Sequence, residues 1–185
     1  MGAAIDCDRC APVSDHASAG CGRRPAGSGI ADGRCGTTQF YLDDLKPGQT
    51  FVSGTHALDE AQIKAFAAAF DPQPFHLDHE AAKGTLFRGL AASGWHTAAI
   101  TMRLNVEAGL PLANGIIGAG GEIQWPAPTR PGDILHVESE VKEVVPSRSR
   151  PDRGIATIVS KTLNQRGEIL QILTARLVVY RRPLD

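Results

Sequence analysis

Cysteine is missing from this chain beyond position 35: all four (Cys7, Cys10, Cys21, Cys35) lie in the first 35 of 185 residues. Any zinc site built on thiolates is confined to that stretch. Charge of one sign is lacking too. The 19 Lys and Arg against 20 Asp and Glu leave a net charge of −1, which argues against the clustered basic surface that nucleic acid requires. No apolar run approaches the ~18 residues that span a bilayer, so no membrane partner is expected. The opening Met1-Gly2-Ala3-Ala4-Ile5-Asp6 has neither the basic nor the apolar region of a secretory signal. The expectation is a cytoplasmic protein. Apolar content of 42% and charged content of 21% are those of an ordinary globular chain, and the length fits one domain, or one domain with a tail.

Residues 1–38 are rich in Gly, Ala, Ser, Asp and Arg, and their larger aliphatics are only Ile5, Val13 and Ile30. Such a stretch buries too little apolar surface to offset its ordering entropy, so it is predicted to be a disordered tail, even one upstream of the true start. Cys7 and Cys10 form a C-x-x-C; with Cys21 and Cys35, or with His16 in place of one thiolate, they have the ligand types for zinc. Free thiols in an unstructured tail are the plainer reading.

The body, residues 39–185, begins near Phe40. A turn at 44–49 precedes a predicted strand over 50–58. Asp59 with Gln62 three residues later resembles a capping box. Ile63, Phe66, Ala67 and Phe70 then recur at helical spacing. Asp78 is placed to cap a short helix through Lys83, stopped by Gly84. A helix from about Ser93 to Glu107 carries apolar residues most of the way round (Trp95, Ala98, Ala99, Ile100, Met102, Leu104, Val106), which predicts burial on all sides. Strands follow. Residues 116–125 are interrupted by Gly118, Gly120 and Gly121, as where a backbone or ligand comes close. In 134–145, Leu135, Val137 and Val141 alternate with His136, Glu138, Glu140 and Lys142. Strands 154–163 and 169–180 flank a hairpin signal at 164–167. One buried helix followed by long antiparallel strands implies an α+β fold, a sheet wrapped around a helix.

Between the two helical runs lies Asp71-Pro72-Gln73-Pro74-Phe75-His76, the densest chemistry in the chain. Each proline pushes the residue before it out of the α region and removes a backbone donor, which predicts a rigid non-helical strap. Run straight, the strap would hold Asp71 and His76 roughly 16 Å apart at ~3.3 Å per residue. Gripping one water between them requires an approach to about 5–6 Å, so the strap has to curl.

These residues resemble the MaoC-like acyl dehydratases and R-specific enoyl-CoA hydratases of the hot-dog fold. Their signature has Asp, two residues, Pro, one residue, His, then a small residue six places on, here Asp71, Pro74, His76 and Ala82. A second block matches at 87–94, with Phe87 seven residues before the helix-starting Gly94. A third is the Pro-rich turn from Trp125 to Asp133. The resemblance covers about 40–180. The chain departs from the family at Phe70 (usually Gly), Gln73 (usually Asn) and Ser93 (often His).

The resemblance implies a single hot-dog domain, a homodimer joined through its sheets with the acyl pocket near the interface, and an acyl-CoA partner. It further implies reversible hydration of a 2-enoyl-CoA without a metal or redox cofactor. In that reading Asp71 orients or deprotonates a water, His76 holds it and exchanges its proton, and the Gly94 N–H receives the thioester's charge. Phe75, Ser93 and Trp95 line the substrate pocket.

Taken without the family, Asp71 is a turn residue, His76 a packing residue and Gly94 simply the glycine that starts a helix. His76-Leu77-Asp78-His79 has the look of a metal motif but lacks evident partner ligands, so Asp78 reads as a cap, His79 as solvent-facing and metal as absent. His96 reads as a satisfied structural histidine. Arg130 and the arginines of 148–153 read as solvated, with attraction of coenzyme A phosphates as the alternative. A hot-dog thioesterase, a non-catalytic acyl-CoA-binding or scaffold subunit, and a zinc or partner module in the tail are the competing functions.

Overall fold

The structure is a computed structural model that describes residues 39–183. The expected disordered tail, its zinc alternative and the domain boundary at 38/39 fall outside the described residues.

Three long strands form the centre of one antiparallel sheet: β4 (Ile134–Pro146), β5 (Arg153–Leu163) and β6 (Ile169–Tyr180). β3 (Ile117–Gln124) pairs with β6 on one side, and β1 (Thr50–Val52) and β2 (His56–Ala57) both pair with β4 on the other. The helices are α1 (Glu60–Phe70), α2 (Pro74–Leu77), α3 (His79–Lys83) and α4 (Gly94–Leu104), the last continued by a π-helical turn over Asn105–Gly109. Ile100 and Leu104 of α4 pack with Leu135 and Val137 of β4 and Leu170 of β6. The sheet is thus built on one central helix, as the α+β expectation has it.

The expected strand over 50–58 is broken in two at 53–55. Ser53 takes over part of the ladder: its N–H donates to the Val137 carbonyl at 2.9 Å, and its Oγ accepts from the Val137 N–H at 2.8 Å. In β4, Leu135, Val137 and Val141 are buried as their alternation predicts, and Ser139 joins them by bonding Ser160 Oγ at 2.7 Å. At the β5–β6 hairpin, buried Asn164 accepts from the Arg166 and Glu168 N–H groups. Of the three glycines in β3, only Gly121 meets the close backbone expected there, since a Cβ would lie 2.5 Å from the Thr174 carbonyl oxygen of β6; Gly118 and Gly120 face open space, and Gly120 instead serves a backbone with φ 134°.

Two helix expectations need correcting. Asp59 caps α1 through the Gln62 N–H at 2.8 Å, but the Gln62 side chain bonds His56 Nε2 instead of closing the box. At the end of α1 the chain has left the core, so Phe70 is 76% exposed, its ring 5.1 Å from that of Phe66. Nor is α4 buried on all sides. Trp95, Met102 and Val106 are 62%, 43% and 63% exposed, because only one face meets the sheet. That face carries hydroxyls as well as hydrocarbon: Thr101 Oγ1 lies 2.6 Å from Thr162 Oγ1, and Thr97 Oγ1 lies 2.9 Å from Thr129 Oγ1.

Candidate active site

The strap between α1 and α3 does curl, by a route other than the expected one. Pro74 does not prevent helix; it occupies the first position of α2, where a missing N–H costs nothing and its fixed φ suits the helix. The Gln73 N–H turns back to the Asp71 carbonyl at 2.7 Å, and the His76 N–H bonds the Gln73 carbonyl at 2.9 Å. This fold-back brings His76 Nε2 to 3.4 Å from Asp71 Oδ2. The pair is closer than a water-separated pair requires, and His76 is buried against the rings of Phe75 (4.5 Å) and Phe87 (5.8 Å), which also meet each other.

The protonation pattern follows from the partners. His76 Nδ1 lies 2.8 Å from the Ala91 carbonyl, which can only accept, so Nδ1 carries the hydrogen and Nε2 presents a lone pair in the neutral ring. Facing it, Asp71 accepts from Ser93 Oγ at 2.6 Å on Oδ2 and from Gln73 Nε2 at 2.7 Å on Oδ1. The Ser93 hydroxyl, with smaller help from Gln73 and His76, holds the Asp71 carboxyl below its ordinary value against the opposing effect of burial. With the ring neutral, two acceptors 3.4 Å apart face the cavity side by side, an arrangement satisfied by a water seated beside the pair and donating one hydrogen to each.

Ser93 serves two elements. As the N-cap of α4 it accepts from the Trp95 N–H at 3.2 Å, while its own hydrogen goes to Asp71. The Gly94 N–H, at the first helical position, has no acceptor among the described residues and stands where the helix dipole favours negative charge. The space beside Gly94 is not open, however. A Cβ there would lie 2.7 Å from the Trp125 indole, so glycine is required by that ring. The indole is pinned in turn, Nε1 donating to Gln171 Oε1 at 3.0 Å and Gln171 Nε2 to Thr101 Oγ1 at 3.0 Å.

Asp71, Phe75, His76, Ser93, Gly94 and Trp95 all line one cavity of about 570 Å³. Every site residue singled out in the sequence is therefore brought together. Ser93 bonds Asp71 as well as bounding the pocket, and Trp95 is an exposed wall set edge-on to Trp125. Trp125, Gln171 and Thr129 were not foreseen. A lone amide at Gln171 within the apolar run of β6 was the available signal for the first two.

Other calls change. His96 is not satisfied: its buried Nδ1 has no partner among the described residues, and its ring lies flat on Phe66 at 4.5 Å. Burial, then the neighbouring His56, pushes it below the ordinary imidazole value. Asp78 caps α3 through the Ala81 N–H at 2.7 Å, and His79 is exposed. Among the described residues no three His, Cys, Asp or Glu side chains are grouped to hold a metal. Arg130 is not solvated: its guanidinium donates to the Gly89 and Leu90 carbonyls at 2.8 and 2.9 Å, and to that of Phe87.

Residues 44–163 match the family described as MaoC like domain. The crystal structure of a MaoC-like dehydratase from Rhodospirillum rubrum superposes with a TM-score of 0.78 and 66% identity, covering 78% of this chain and 99% of that one. An uncharacterized Bacillus subtilis protein, YdeM, is 36% identical over 68% of this chain and 88% of its own. The (R)-specific enoyl-CoA hydratase of Rhodospirillum rubrum is 27% identical over 74% of this chain and 93% of its own. The chain belongs to the MaoC-like dehydratase family, and its fold is the hot-dog fold.

Proposed function

We propose that this chain is a hydro-lyase that adds water reversibly to a 2-enoyl-CoA, giving a 3-hydroxyacyl-CoA. The observation that carries the reading is the pair of facing acceptors, Asp71 Oδ2 and His76 Nε2, 3.4 Å apart on the wall of a cavity. A water donating one hydrogen to each turns a lone pair outward, toward the C3 carbon of a bound enoyl thioester. As the oxygen–C3 bond forms, the C2–C3 π electrons move onto the thioester oxygen. The water proton passes to His76 Nε2, which returns it to C2, so both transfers occur from one face. Asp71 stays ionised throughout and orients the water. The Gly94 N–H meets the oxygen as it becomes negative, a contribution of ~3–4 kcal/mol for a donor of this kind. No metal or redox cofactor enters the scheme.

The family membership and the hydratase named among the relatives support the same chemistry. A homodimer belongs to the reading as well. The exposed apolar residues Trp95 and Met102 of α4 and Val106 of the π-helical turn after it form a surface suited to burial against a second copy.

The test is loss of the conjugated thioester absorbance over a panel of 2-enoyl-CoA substrates. Hydration by the wild type, lost in His76→Ala, supports the proposal. Release of coenzyme A from saturated acyl-CoA without hydration would instead make the protein a thioesterase.

A further inference from the structure

Arg88 is the one residue other than glycine with a positive φ among the described residues, at 54°. The left-handed region is costly for a residue bearing a Cβ, and such outliers persist where the surroundings impose them, commonly beside functional sites. Here the imposing group is visible. Arg130 reaches under the segment and takes the carbonyls of Phe87, Gly89 and Leu90 on either side of Arg88. The result is a loop clamped by the Arg130 guanidinium, with the exposed Arg88 borne on it.

The Arg88 side chain is exposed, and among the described residues it has no carboxylate or carbonyl partner. It borders an open depression together with His79, Arg130 and Glu60. The single carboxylate there is already paired, Glu60 to Lys64 at 2.6 Å. Leu86 and Phe87 line both this depression and the catalytic cavity, so the two are neighbours across one loop. A free arginine on a strained, clamped loop at the rim of a thioester site has the geometry for a phosphate oxygen pair, which a planar guanidinium meets with two hydrogen bonds.

We propose that Arg88 is a phosphate-recognition residue, holding the phosphorylated carrier of the thioester while the acyl group lies against Asp71 and His76. This rests on the function proposed above. It deepens that reading by assigning recognition of the carrier's phosphate to one residue, which favours a phosphorylated carrier over the same acyl group on an uncharged one.

Three thioesters of one enoyl acid, on coenzyme A, 4′-phosphopantetheine and pantetheine, test it with wild type, Arg88→Gly and Arg88→Lys. Glycine adopts the 54° conformation without strain, so that variant folds. The expected result is a KM for the coenzyme A thioester, relative to the pantetheine thioester, about tenfold higher in Arg88→Gly than in wild type, the effect of one charge-assisted contact. Arg88→Lys restores most of the ratio, and high salt narrows the gap. A penalty shared by phosphopantetheine assigns the contact to the phosphate nearest the thioester; one confined to coenzyme A assigns it to the nucleotide phosphates. An identical KM ratio in wild type and Arg88→Gly overturns the proposal and leaves the hydratase reading intact. If wild type hydrates none of the three, the hydratase reading fails, and calorimetry with coenzyme A decides: about tenfold weaker binding by Arg88→Gly upholds Arg88's role, and equal binding overturns it.

Discussion

Ser93 and Asp71, 22 positions apart in the chain, are joined by a 2.6 Å hydrogen bond from Oγ to Oδ2. That bond ties the strap to the N-cap of α4, so the carboxylate and the candidate oxyanion donor are positioned by one serine. It is also the largest cause holding the Asp71 carboxyl below its ordinary value.

Replacing Ser93 by alanine therefore has a signature in pH. Asp71 must be ionised to orient the water, and its acid-side limit lies below that of an ordinary carboxylic acid. In Ser93→Ala the acid limb of the kcat/KM profile moves upward, toward the usual carboxylate range, while Ser93→Thr keeps it low. The lost cap costs about 1 kcal/mol of stability as well. A pH profile unchanged by Ser93→Ala would dissociate the serine from the carboxylate.

Gly94 and Trp125 make a packing prediction. A methyl group at Gly94 would sit 2.7 Å from an indole that Gln171 prevents from sliding away. Gly94→Ala is expected to cost roughly 1–3 kcal/mol in denaturant unfolding, the usual range for overpacking. In a Trp125→Leu background the same substitution costs less, because the obstructing ring is gone. Equal costs in the two backgrounds would mean the ring is not what demands glycine.

His96 predicts how stability follows pH. Its folded-state value is depressed by burial against Phe66 and by His56, so the unfolded chain binds the extra proton more readily. Its contribution is complete above the unfolded value near ~6.5 and is lost as pH falls through and below it. Urea midpoints measured from pH 7.5 down to pH 5 should decline for the wild type and decline less for His96→Phe. Parallel curves would remove His96 as the cause.

Much of this was legible in the sequence because it rests on local rules. The caps at Asp59 and Asp78, the alternation in β4 and the hairpin at Asn164 each depend on a few adjacent residues. The resemblance to the family singled out Asp71 and His76 as the candidate pair, but not how the pair meets. Pro74 starts a helix instead of forbidding one, and that choice depends on whether the chain turns back at Gln73. Contacts between distant positions were harder still. Trp125, Gln171 and Thr101 form one chain of hydrogen bonds across β6 and α4, and no local pattern links them. Trp95, Met102 and Val106 read as buried because hydrophobicity alone does not say which face of a helix meets its own sheet.

The central claim is that Asp71 and His76 act as one unit on one water, and kcat/KM for hydration of a 2-enoyl-CoA in Asp71→Asn, His76→Ala and the double variant tests it most directly. Each single variant is expected to lose about 10²–10⁴-fold, the usual worth of a positioned acid–base group. The double variant should lose hardly more than the worse single, since groups that act as a unit are not additive. Undiminished hydration in Asp71→Asn, or losses that multiply in the double variant, would contradict the account.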